Sequence, residues 1–358
     1  MTTSTVPTTP TLAPPIVQPR VLFGMVCGLL AALCYGSSNV CQRFIAAERA
    51  DVSWAIFVCM FKLLPLLMMG IAGMLWAKSQ GRPIKTTRRI MITMFFAGLV
   101  MQWPGNILIQ LGMSYCGLAV SVPLCFAFIL ISGSLFGKWI LGEGISKRSI
   151  LSQGVLVIAT GLLAIGAPQA VDSVAGTTST ASIAFGITVT IISGIAFGYV
   201  AVPMREAVKD NGSVSASMAM MAAAGVLSCG VVSCFTMTPQ ALSDINMTSW
   251  SAIIGQGVLT GVAYIFISLA FANLSVIQAN IVNASQIALA ALGGVLVFHE
   301  PATIWLQLGT VLNILGLVSM DHKAPEEATP AELNAVEAIE AWPNHPESAL
   351  VHQTAEVA

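Results

Sequence analysis

The sequence predicts an all-α polytopic membrane protein, with ten transmembrane helices arranged as two inverted five-helix repeats. Composition is the first reason. Hydrophobic residues make up 56% of the 358 positions and charged residues 9%, against about 25% charged in a soluble domain. No water-facing surface can be assembled from so few polar side chains. The second reason is a series of apolar segments long enough, or nearly so, to cross a hydrocarbon core of about 30 Å. The third is an internal repeat, in which FGMVCGLLAALCYGSSNVCQRF from Phe23 matches FGITVTIISGIAFGYVAVPMRE from Phe185.

Taken in order, residues 1–20 are rich in Thr and Pro and lack the basic n-region of a signal peptide, so they read as a disordered tail. Apolar segments follow near 21–43, 53–77, 89–113, 117–140 and 149–167, which form the first unit, residues 21–167. The connection 168–181 carries no Lys or Arg and reads as an external linker. Segments near 182–204, 215–237, 250–272, 274–298 and 302–320 form the second unit, residues 182–320. Residues 321–358 are an acidic tail. Within it Thr329-Pro330-Ala331-Glu332 resembles a helix start, although the composition suits disorder.

Orientation comes from the basic residues. With the N-terminus inside, 12 of the 15 Lys and Arg fall on the cytoplasmic side. Both termini are therefore expected in the cytoplasm, and a multi-pass protein of the cell (inner) membrane is expected. In the repeat, Gly36 aligns with Gly198, Arg43 with Arg205 and, further on, Glu143 with Glu300. Each unit holds an odd number of spans, so the second copy enters the membrane inverted. Inverted repeats are a transporter signature, with the substrate site near the midplane between the halves.

The polar residues inside the spans are the candidates for that site. Gln102, Asn106 and Gln110 lie within a roughly 80° arc of one helix face at about 100° per residue. Pro104-Gly105 interrupts the same segment, and Pro104 and Pro123 are expected to break or gate helices. Lys62 is the only charge deep in a span, and needs a partner there. It reads as the counter-ion of an anionic substrate, as a titratable switch, or as a structural lysine held by helix-end carbonyls near Pro65. Tyr35, Ser38, Asn39 and Gln42 mark the first helix, and Tyr264 and Ser268 the eighth. Asn280, Asn283 and Gln286 mark the ninth. Each of these groups either lines a cavity or bonds between helices.

Several chemistries have no candidate. The four histidines are His299 at a helix end and His322, His345 and His352 in the tail, and neither a Walker loop nor G-x-G-x-x-G occurs. An enzyme, a metal site and a cofactor are therefore not expected. No basic patch is present to bind nucleic acid. The eight cysteines are scattered singly, and Cys27, Cys34 and Cys41 read as small packing residues. Small-residue pairs at Gly24/Gly28, Gly133/Gly137, Gly194/Gly198 and Gly257/Gly261 suit close helix packing or a homodimer interface.

The ten spans, the two units and the Leu141-Gly142-Glu143 ending of the fourth helix resemble the drug/metabolite transporter superfamily, with EamA-type domains, over about residues 20–320. Within it, Gly98, Gln102, Asn106, Gln110, Gly117, Pro123, Gly133, Leu135-Phe136-Gly137 and Gly142-Glu143 resemble the glucose/ribose porter and rhamnose transporter families. The resemblance implies a secondary transporter of a small polar metabolite, sugar first, working by alternating access in the lipid bilayer. The alternatives are efflux of amphipathic drugs or amino-acid metabolites, which 17 methionines would accommodate, and a non-transporting scaffold or sensor.

Overall fold

The computed structural model describes residues 21–46, 48–49, 51–81, 84, 86–116, 118–165, 180–209, 213–298 and 304–319. The expected tails, most of the 168–181 linker and Glu300 lie outside the described residues. Among the described residues every regular element is helical and no strand occurs.

Helix α1 runs Val21–Ala46, α2 Val52–Ser79 and α3 Arg88–Val100. A wide π-turn over Met101–Ile107 leads into α4, Leu108–Cys116. Then come α5 (Leu118–Leu141), α6 (Lys147–Ile165) and α7 (Thr180–Lys209). They are followed by α8 (Val214–Thr236), the short α9 (Pro239–Ser243) and α10 (Met247–Asn273). Helices α11 (Val276–Asn283), α12 (Gln286–Phe298) and α13 (Ile304–Val318) complete the described chain.

Side-chain caps start many of these helices. Asp51 accepts from Trp54 N at 2.8 Å and Asn246 from Ser249 N at 2.8 Å, while Ser275 and Gln278 form a capping box at the tight joint between α10 and α11. Among the described residues seven helical stretches are long and apolar enough to cross a membrane, including Arg88–Tyr115 counted through its π-turn. The protein is therefore a largely helical, multi-pass membrane protein.

The major contacts join the first half of the chain to the second. Helix α1 lies along α10, α2 along α8, α5 along α7 and α6 along α13, while the π-turn and α4 pack on α7. Large apolar side chains point outward, as at Leu22, Phe23, Val26, Leu29 and Leu33 of α1, whereas Gly24, Gly28, Ala31 and Ala32 on its other face are buried. Lipid is as apolar as leucine, so close backbone approach, not apolar burial, selects what faces inward. The paired glycines show this. A Cβ at Gly28 would stand 2.7 Å from Val282, one at Gly194 2.5 Å from the Cys125 carbonyl and one at Gly257 2.7 Å from the Lys62 carbonyl. A Cβ at Gly133 would stand 2.5 Å from Asn280 Nδ2. All four small-residue pairs thus meet other helices of the same chain.

Two helices are interrupted, and only one interruption was expected. Pro104 sits in the π-turn, as its missing N–H requires. Pro123, in contrast, lies inside α5, which continues unbroken to Leu141. Its position in the first two turns explains this, since few earlier carbonyls lose a donor there. The expected break or gate at Pro123 is corrected accordingly. The second interruption falls at Ala284–Ser285, between α11 and α12, with no proline nearby. At both sites a side-chain amide caps a main-chain carbonyl: Asn106 Nδ2 donates to Met101 O at 3.2 Å, and Gln286 Nε2 to Asn283 O at 3.2 Å. Gly105 O additionally accepts from Ser193 Oγ at 2.9 Å.

Candidate functional site

Between the halves lies a cavity of about 150 Å³. From the first half, Tyr35, Asn39, Lys62 and Asn106 reach it, and from the second, Tyr264, Asn280 and Asn283 do. Gln42, Thr260 and Gln286 line it as well. The lining from two other helices is apolar, built from Val122, Phe126 and Ile129 of α5 and Phe197, Val200 and Met204 of α7. The cavity therefore combines polar groups with an apolar wall from α5 and α7.

Lys62 organises the polar side. It is 7% exposed, and its Nζ donates to Asn106 Oδ1 at 2.8 Å and to Gln42 Oε1 at 3.4 Å. Asn106 passes the polarity on through Nδ2, which also donates to Gln102 Oε1 at 3.1 Å. The π-turn makes this geometry possible, because its wider radius turns Asn106 toward α2. A second amide cluster stands alongside. Asn39 Nδ2 donates to Gln286 Oε1 at 3.0 Å, and Gln286 Nε2 to Asn283 Oδ1 at 3.0 Å. Asn39 and Gln42 are three residues apart on α1, so one helix face joins both clusters.

The Gln102–Asn106–Gln110 stripe divides in the fold. Asn106 alone lines the cavity; Gln102 stands behind it as its acceptor, and Gln110 is buried elsewhere with neither amide atom partnered. Tyr264 lines the cavity with its ring, while its hydroxyl is directed to Met221 Sδ at 3.1 Å. Ser268 turns back to the Tyr264 carbonyl at 2.8 Å. Ser38 bonds Thr260 Oγ1 at 2.9 Å and ties α1 to α10. Lys62 is held by side-chain amides and not by helix-end carbonyls.

One feature beside the cavity was missed in the sequence. Arg205 Nε stands 2.5 Å from Glu143 Oε1, with both side chains buried, and Arg205 also donates to the Phe271 carbonyl. Glu143 Oε2 accepts from Val276 N at 2.9 Å. Gly142 makes this arrangement possible. Its φ of +65° is a left-handed conformation that glycine adopts without strain, and it turns Glu143 back beneath α5. Met204 and Phe271 line the cavity next to this pair. The ends of α5, α7 and α10 and the start of α11 are thereby fastened at one end of the cavity. The available signal was a Glu and an Arg each at the end of an apolar span, Glu143 aligned with Glu300 and Arg205 with Arg43 in the repeat.

Among the described residues no three His, Cys, Asp or Glu side chains come together as a metal site. The model of the EamA-like transporter family matches residues 184–320. A solved crystal structure of a protein superposes with a TM-score of 0.62 at 13% sequence identity, over 83% of this chain and 97% of that one, a likeness of fold. No curated protein matches the chain. The second half of this membrane protein thus matches the EamA-like transporter family, which supports the drug/metabolite transporter superfamily, a group of transporters and not of enzymes.

Proposed function

We propose that the protein is a secondary transporter that carries a small polar metabolite by alternating access, its two five-helix units rocking about the cavity. The observation that carries this reading is a cavity whose polar groups come from both halves: Lys62 and Asn106 from one, Asn280 and Asn283 from the other. The packing supports inverted repeats, since exchanging the units exchanges the α1–α10 contact with that of the π-turn and α4 on α7. The Arg205–Glu143 pair suits a closed end, on the cytoplasmic side by the distribution of basic residues.

A sugar is supported by the first-half resemblance and by the amide-rich wall, because hydroxyl-bearing solutes need paired donors and acceptors. The apolar wall of α5 and α7 favours a second reading, an amphipathic metabolite. The test is counterflow of radiolabelled sugars, amino acids and organic acids in proteoliposomes holding the full chain. Exchange of at least one solute class is expected, reduced at least about tenfold by Asn106→Ala, which removes an acceptor from a buried cation. Absence of exchange for every class by the folded protein would overturn the transporter reading.

A further inference from the structure

We infer that the cavity takes a monocarboxylate with an apolar body, its carboxylate seated against Lys62 and Gln42. This names the substrate class of the site proposed above and rests on that reading.

Three observations lead to it. Among the described residues Lys62 is the only charged side chain lining the cavity, and no carboxylate stands among them there. Its two hydrogen-bond partners are neutral amide oxygens. An ammonium group carries three donors, so one remains for a ligand. A cation kept from water without a carboxylate is costly, and an anionic ligand supplies the missing charge.

The hydrogen bonds then set the ligand's polarity. A lysine can only donate, so it fixes Gln42 and Asn106 with their oxygens toward Nζ. The oxygens of Asn283 and Gln286 are also taken, by Gln286 and Asn39. On the donor side, Gln42 Nε2 has no partner, although the residue is 1% exposed. Beside the cation the lining therefore offers unused N–H donors, from Lys62 and from Gln42. A carboxylate, which only accepts, matches those donors. A sugar hydroxyl would bring a donor with each acceptor, and an ammonium group would find no carboxylate.

The apolar wall selects the remainder of the ligand. At about 150 Å³ the whole cavity has room for one small organic acid. Phe126, Ile129, Phe197 and Met204 would enclose its apolar body. The lining thus fits one charged end and one apolar end.

The experiment measures binding of 4-methyl-2-oxopentanoate and phenylpyruvate, each beside its neutral amide, to the purified full chain by calorimetry and thermal shift. Both acids are expected to bind at least about tenfold more tightly than their amides. Gln42→Glu places a carboxylate beside Lys62 with little change of shape. It should abolish the preference while the protein remains folded, and Lys62→Arg should retain it. Equal binding of acid and amide, no binding of either acid at millimolar concentration, or an undiminished preference in Gln42→Glu would each overturn the proposal. If Lys62→Arg fails to fold, Gln42→Glu still decides. Exchange of neutral solutes without acid binding would sink this inference and leave transport standing. Acid binding without any exchange would do the reverse.

Discussion

Two buried cations, Lys62 and Arg205, are treated in opposite ways. Arg205 meets Glu143 at 2.5 Å and a main-chain carbonyl, and the other oxygen of Glu143 is filled by Val276 N. Its charge is neutralised within the protein. Lys62 meets two amide oxygens, and the side chains around it leave donors unused. The first arrangement needs nothing further and fastens the ends of three helices and the start of a fourth. The second is completed only from outside the chain. A buried ion with all its bonds made is a fastener; one with bonds to spare marks a binding site.

The sharpest way to break this contrast is at Arg205. Arg205→Met leaves Glu143 buried without a cation and should cost about 3–5 kcal/mol of stability. Unfolding in detergent measures it, and the double change Arg205→Met with Glu143→Leu should recover most of the loss. An unchanged unfolding midpoint in the single variant would remove the distinction. Lys62→Met comes next. It deletes a buried charge that has no ionic partner, so stability should stay within about 1 kcal/mol of the original or rise. Solute exchange in liposomes should be lost. Stability falling as far as in Arg205→Met would make both cations structural. Gln110→Leu should have the smallest effect. Its amide is buried without a partner and away from the cavity, so exchange should remain within about twofold and stability should not fall. A large loss of exchange would extend the polar wall beyond Asn106.

Much of the candidate site was legible in the sequence, for a physical reason. A polar side chain in an apolar span must find a partner, so Lys62, Asn106, Asn280 and Asn283 stood out, and all four line the cavity. Residue spacing alone did not say which member of a stripe reaches the cavity. Gln102 and Gln110 belong to the same stripe as Asn106, yet only Asn106 lines the cavity, Gln102 being its acceptor and Gln110 buried elsewhere. The break at Ala284–Ser285 had no proline to signal it. It is held by Gln286, whose side chain looked like any other intramembrane amide. The paired glycines were ambiguous between internal packing and a dimer until their neighbours were known.

The sequence by itself determined that this is a membrane protein, where its helices run, and which few polar groups had to be accommodated among them. These follow from hydropathy and length, which act locally along the chain. Only the tertiary structure decided how the polar groups are paired. Lys62 meets Asn106 across 44 positions, Arg205 meets Glu143 across 62, and Asn39 meets Gln286 across 247. In a low-dielectric interior the partner, not the residue type, determines whether a buried cation holds the fold or waits for a ligand. That choice is made by helix packing, within the first half for Lys62 and between the halves for Arg205, and no single segment contains it.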